Sequence, residues 1–228
     1  MEDVLSKAPR VRLRFSKTGK AKYISHLDLV ATIRRALLRA GISLGYSEGF
    51  NPHPYISIAL PLQVGCGSIC ELMDFEPAEA VSFGGVRETV NSALPEGIEV
   101  LELYGADRKF RDIAWLRVEG VFIYDVPPPA DVPERLAERF SSDSIVISKR
   151  TKSGVSEADI APMIRGVSFS VDDTDGAIRI NATVSAQNPT VTPGDLLSAL
   201  KGAYSSAAPD FALFTRIEVF DKDMIVFK

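Results

Sequence analysis

Two histidines are present in the 228-residue chain, and both fall in its first quarter. His26 stands in "YISHLDLVATIRRALLRAG" (23–41) and His53 in "GYSEGFNPHPYISIALPL" (45–62), with Arg34, Arg35 and Arg39 between them. Imidazole is the side chain that exchanges protons most readily near neutral pH. A pair of them beside arginines is therefore the first place to look for acid–base work on a phosphate. His26 with Tyr23 or His53 is one candidate acid–base set, with Lys20 or Arg34 stabilising the charge that develops on a transferring phosphate.

Other chemistries compete for the same residues. His26 and His53 with the two cysteines, Cys66 and Cys70, would make a Cys₂His₂ zinc set. The spacing lacks an H-x₃₋₅-H pair, and no metal or other cofactor is expected. Ser25, His26 and Asp28 suggest a triad, but neighbours one and two apart on a helix do not face each other. Ser25 and Asp28 read instead as a helix cap of the S-x-x-D kind. No Gly-rich nucleotide loop of the G-x-x-x-x-G-K-[ST] or G-x-G-x-x-G kind is present. Lys17, Lys20 and Lys22, just ahead of the helix, form a possible phosphate seat or a solvated basic loop.

"GFNPHP" (49–54) carries a second kind of signal. Pro52 and Pro54 restrict the residues before them to extended backbone, so the loop is stiff and holds Phe50, Asn51 and His53 in set directions. Aromatic, amide and imidazole presented together suit stacking on, and edge recognition of, single-stranded RNA bases. A structural loop lying over a sheet would use the same Pro and Gly residues.

Charge distribution bears on the partner. The net charge is −4, which argues against a protein that coats nucleic acid indiscriminately. Residues 1–60 nevertheless hold 10 Lys and Arg against 4 Asp and Glu, whereas residues 61–228 hold 16 against 26. Arg12, Arg14, Lys17, Lys20, Lys22, Arg34, Arg35 and Arg39 are expected to form one basic stripe able to contact phosphates. The bland alternative is that an early strand and helix simply carry basic solvent faces.

The elements that must position these groups follow from periodicity. "VRLRFSK" (11–17) alternates as a half-buried strand with a basic outer face. From Ser25, a helix runs to Gly41, with Leu27, Val30, Ile33, Leu37 and Leu38 on one face. The loop 42–54 follows, then a strand over 55–62, its hairpin partner over 70–77, a weaker helix over 78–93 and a strand over 97–105. The order β-α-β-β-α-β is the split-βαβ arrangement. The second half repeats it loosely: a strand over 115–126, a helix near 131–141 and a strand in "SIVISKRT". Two paired strands then flank "DDTDG", followed by a helix over 192–204 and a strand in "LFTRIEVF". The expected fold class is thus α+β: two ferredoxin-like modules, residues 1–107 and 108–228, with antiparallel sheets and helices on one face. The charged segment "ADRKFRDI" is taken as their linker. Few cysteines, no secretory signal and no apolar run long enough to span a membrane place the chain in the cytoplasm.

At "RLRFSKTG", "ISHLDLVATIRRALLRAGI" and "YSEGFNPHPYISIALPLQVG", with "KRTKSG", "DIAPMIRGV" and "TPGDLLSAL" further on, the chain resembles a bacterial family of unknown function, the radical-SAM-linked proteins. The resemblance covers nearly the full length and implies a radical-SAM protein with a B12-binding domain as companion. It supplies a partner class and no reaction. The element order also looks like RAMP-type proteins that process CRISPR RNA, some of which cut RNA without metal using a histidine near the first helix. Three functions stay open: an RNA-associated accessory protein, a protein–protein adaptor docking on the radical-SAM partner, and a metal-independent endoribonuclease.

Overall fold

The computed structural model describes residues 9–151, 154–172 and 176–228. It is a mixed α/β chain, mostly sheet, with antiparallel strand pairs and, among the described residues, four α-helices. It divides into two compact units, one reaching to Asp112 and including Lys228, the other Ile113–Phe227. Sequence reading put the boundary after residue 107. Residues 108–112 belong instead with the first unit, because the buried Arg12 donates to the Arg108 carbonyl (2.6 Å) and lies over the Phe110 ring.

In the first unit, β1 (Val11–Lys17) leads to α1 (His26–Arg39), then to β2 (Ile56–Ile58) and β3 (Gly67–Phe75). Helix α2 (Val86–Ala93) and β4 (Ile98–Gly105) complete it. β1 pairs antiparallel with both β3 and β4, and β2 pairs antiparallel with the end of β3, giving the order β4-β1-β3-β2. Alternation sends Val11, Leu13 and Phe15 into one core with Leu29, Ile33 and Leu37 of α1 and Val90 of α2. The buried face of α1 is Leu29, Ile33, Ala36 and Leu37, at helical spacing; of the residues expected, Ile33 and Leu37 lie on it and Val30 packs against it half-buried. Leu27 and Leu38 lie off that face and are exposed.

Several boundaries differ from the sequence reading for local reasons. β2 is three residues long, since Leu60 takes a left-handed φ of 47° and prolines flank the segment on both sides. The weak helix shrinks to its last turns because Gly84 and Gly85, the latter at φ 75°, delay its start. Gly97 at φ 88° is required: a Cβ there would sit 2.6 Å from the Thr18 carbonyl, which follows β1.

In the second unit, β5 (Trp115–Ile123) precedes α3 (Val132–Phe140), and β6 (Val146–Thr151) pairs with β7 (Gly154–Asp159) as a separate hairpin. β8 (Ile164–Val171), β9 (Ile178–Ser185), α4 (Pro193–Ser198) and β10 (Phe211–Phe220) follow. The pairings give β10-β5-β9-β8, which matches the order of the first unit once the hairpin is set aside. Phe140, the last residue of α3, packs its ring against Phe169, which meets Phe122, and Phe122 in turn meets Phe214. Phe214 crosses Gly120 so closely that a Cβ there would meet its ring at 2.7 Å. Helix α4 ends at Ser198, well short of residue 204, and Thr192 and Asp195 form its capping box. β7 went unforeseen. The middle of "DDTDG" (173–175) and of "KRTKSG" (152–153) lies outside the described residues.

Candidate functional site

His26 occupies the first turn of α1. Ahead of it a single 3₁₀ turn, Gly19–Tyr23, leads to Ser25 as N-cap. The Ser25 hydroxyl accepts from the Asp28 amide at 3.2 Å and donates to the Asp28 carboxylate at 2.7 Å. Both side chains are spent on starting the helix, as expected, and no triad forms. His26 and Tyr23 are exposed beside them. The Gly65 amide donates to the Lys22 carbonyl (2.9 Å), which seats the loop carrying Val64, Gly65 and Cys66 against this turn.

Lys17 lies under the same turn. It is buried, and its Nζ donates to the Ile24 carbonyl at 3.2 Å. Burial holds its pKa below the usual lysine value, while the charges of Glu71 and Cys66 pull it back up.

His53 is at the far end of α1. The loop that carries it leaves the helix after Gly41 and is stapled to the end of β3: Gly45 N–H donates to the Glu76 carbonyl (2.8 Å), and Glu76 N–H to the Tyr55 carbonyl (3.0 Å). Across the loop, Ser47 N–H donates to the His53 carbonyl (2.8 Å) and His53 N–H to the Ser47 hydroxyl (2.9 Å). The backbone is thus fixed on both arms, as the prolines suggested, and its tip is left outward. Phe50 is 112% exposed, and Asn51 and His53 are exposed beside it. The 14 residues of α1 span about 21 Å between the turn with His26 and the start of this loop. The two histidines are not brought together at one phosphate or one ion. Only Tyr23 remains beside His26. Among the described residues no group of three or more His, Cys, Asp or Glu is placed to hold a metal.

The basic stripe does not exist as one surface. Arg12 is fully buried; its Nε and Nη2 donate to Asp74 Oδ1 and Oδ2 at 2.6 and 2.9 Å. It cannot reach a phosphate, and neither can the buried Lys17. The alternation that promised a basic solvent face fails because β1 is covered on both faces. Arg14, half-buried, points to the same side as Arg12. Arg39 donates to the Ala93 carbonyl (2.9 Å) and so caps the end of α2. Lys20 and Arg35 are exposed; Lys22 and Arg34 are half-buried, with Lys22 about 5.1 Å over the Tyr23 ring.

Beside the His53 loop the structure holds groups that sequence reading passed over. Ser57 of β2, Arg10, Glu76 and the turn Arg108–Arg111 line a cavity of about 490 Å³. Tyr55 and Ile56, which follow the loop directly, line a smaller adjoining cavity of about 130 Å³. Arg10 Nη2 pairs with Glu76 Oε1 at 2.7 Å.

The sequence matches, over residues 10–193, the family described as "Uncharacterized protein conserved in bacteria (DUF2344)". The chain belongs to that family. The match includes both histidine segments, the cavity and most of the second unit. No curated protein matches the chain. Among solved structures, an unknown protein from Galdieria sulphuraria is 10% identical, with 91% of this chain and 98% of that chain covered and a TM-score of 0.27. The encapsulated DyP-type peroxidase from Mycobacterium smegmatis is 10% identical, with 96% and 93% covered and a TM-score of 0.22. Likenesses this slight carry no argument about fold or chemistry.

For the family member described here, the one signal that would have found the cavity is the charged run "ADRKFRDI" itself. It was read as a linker because it lacks periodicity, yet its cations project beside the stiff loop. The arrangement at this end offers aromatic, amide and imidazole groups on a fixed loop and cations nearby.

Proposed function

We propose that this chain is a cytoplasmic, RNA-associated accessory protein working with a radical-SAM enzyme. The observation that carries the reading is Phe50, held fully in solvent on a loop whose two arms are hydrogen-bonded to each other and to β3. A large aromatic ring on a fixed loop gives up the free energy of burial in the monomer. It is recovered when a base stacks on it, and Asn51 and His53 beside it have the donors and acceptors to read a base edge. Both units are read as ferredoxin-like modules, supported by the order β4-β1-β3-β2 and its counterpart β10-β5-β9-β8. The resemblance to radical-SAM-linked proteins supports the partner class. The separation of His26 from His53 weighs against the endoribonuclease.

A second reading, an adaptor that docks on the radical-SAM partner without nucleic acid, is favoured by a different place. Tyr23, Leu27 and Val64 are all exposed around the start of α1, an apolar group on a surface otherwise polar.

The test is a titration of single-stranded RNA with the purified protein, in chelator, at two salt concentrations. Salt-sensitive binding of RNA that stays intact supports the accessory protein. An absence of binding at either salt leaves the adaptor.

A further inference from the structure

The cavity beside the stiff loop has features of a preorganised anion site. Its rim is the turn Arg108–Arg111, and the turn is fixed from below by Arg12. That buried guanidinium is clamped by Asp74, holds the Arg108 carbonyl at 2.6 Å and lies 4.6 Å from the centre of the Phe110 ring. The residues on either side of Phe110 are Lys109 and Arg111, both exposed and both lining the cavity. Lys109 makes no ion pair among the described residues, and Arg111 meets Asp112 only at 4.0 Å with its own side chain 77% exposed. Two of the three carboxylates that line the cavity are engaged, Asp74 by Arg12 and Glu76 by Arg10, and the third, Asp107, is exposed at its rim. Lys109 and Arg111 together outweigh Asp107 at a space of about 490 Å³, a size that admits a nucleotide.

We propose that this cavity is a phosphate-backbone subsite for single-stranded RNA, with Lys109 and Arg111 as the contacting groups and Arg12 as their positioning residue. Resting on the RNA-binding reading above, it assigns the part of the strand adjoining the nucleotide stacked on Phe50. Tyr55, Ile56 and Ser57 connect the two places directly in the chain. Phosphate contacts set register and affinity while base contacts choose the sequence, so the two places divide the work.

The proposal is tested by the salt dependence of binding. Affinity for a labelled single-stranded RNA is measured across a salt series for the wild type, for Lys109→Ala/Arg111→Ala and for the control Lys201→Ala/Lys222→Ala, which changes net charge equally in the second unit. Each lost phosphate contact lowers the log–log salt slope by roughly 0.7, so the cavity variant is expected to fall by about 1.4 and the control by none. Phe50→Ala is expected to weaken binding with the slope kept. Wild-type binding with an unchanged slope in the cavity variant, or an equal fall in the control, overturns the subsite and leaves the RNA reading standing. No binding by the wild type overturns both.

Discussion

Arg12 grips Asp74 through two hydrogen bonds, Nε to Oδ1 at 2.6 Å and Nη2 to Oδ2 at 2.9 Å, with both side chains buried between β1 and β3. Removing one partner of such a pair strands a charge in the interior, at a cost of about 3–5 kcal/mol. Arg12→Ala is therefore expected to lower the midpoint of urea unfolding by that equivalent. The same variant loosens the turn that carries Lys109 and Arg111. An unaltered midpoint would return Arg12 to the surface role its place in an alternating strand suggested.

Lys17 gives a prediction of opposite character. Burial lowers its pKa in the folded chain from 10.5, more than the charges of Glu71 and Cys66 restore it. The folded state therefore releases this proton before the unfolded chain does. Between the lowered value and 10.5 the unfolded chain holds more protons, and stability gained from this group rises with pH. The unfolding free energy of the wild type, measured against Lys17→Met, is expected to improve as pH climbs toward 10.5. A difference that stays flat over that window contradicts the burial.

The two predictions also mark where sequence reasoning stopped. Helix α1, its Ser25 cap and Gly41 after it were legible, because caps and periodicity are local. The stiffness of the His53 loop was legible too, from two prolines. Which face of β1 meets water was not, since alternation tells that two faces differ and not what covers each, and Arg12 was misplaced for that reason; Lys17 falls on the side of Val11, Leu13 and Phe15, which alternation turns inward. The cavity was missed because "ADRKFRDI" acquires its shape only from a residue nearly a hundred positions away, the arginine that holds its backbone.

The distance between the histidines predicts the fate of RNA in contact with the protein. With about 21 Å of helix between them, His26 and His53 cannot serve as base and acid on one phosphate. RNA incubated with the protein in chelator is expected to stay full length on a denaturing gel, and His26→Ala is expected to behave as the wild type. Metal-free cleavage that disappears in His26→Ala, with binding retained, would instead make Tyr23 and His26 a catalytic pair.

The central claim rests on Phe50, and one comparison addresses it most directly: the Kd of wild type and Phe50→Ala for the same single-stranded RNA, with thermal unfolding of both. Loss of one base stack is worth about 1–3 kcal/mol, so Kd is expected to rise roughly 5- to 150-fold. The melting temperature should not move, because the ring buries nothing in the free chain. Equal Kd values for the two proteins would contradict the account.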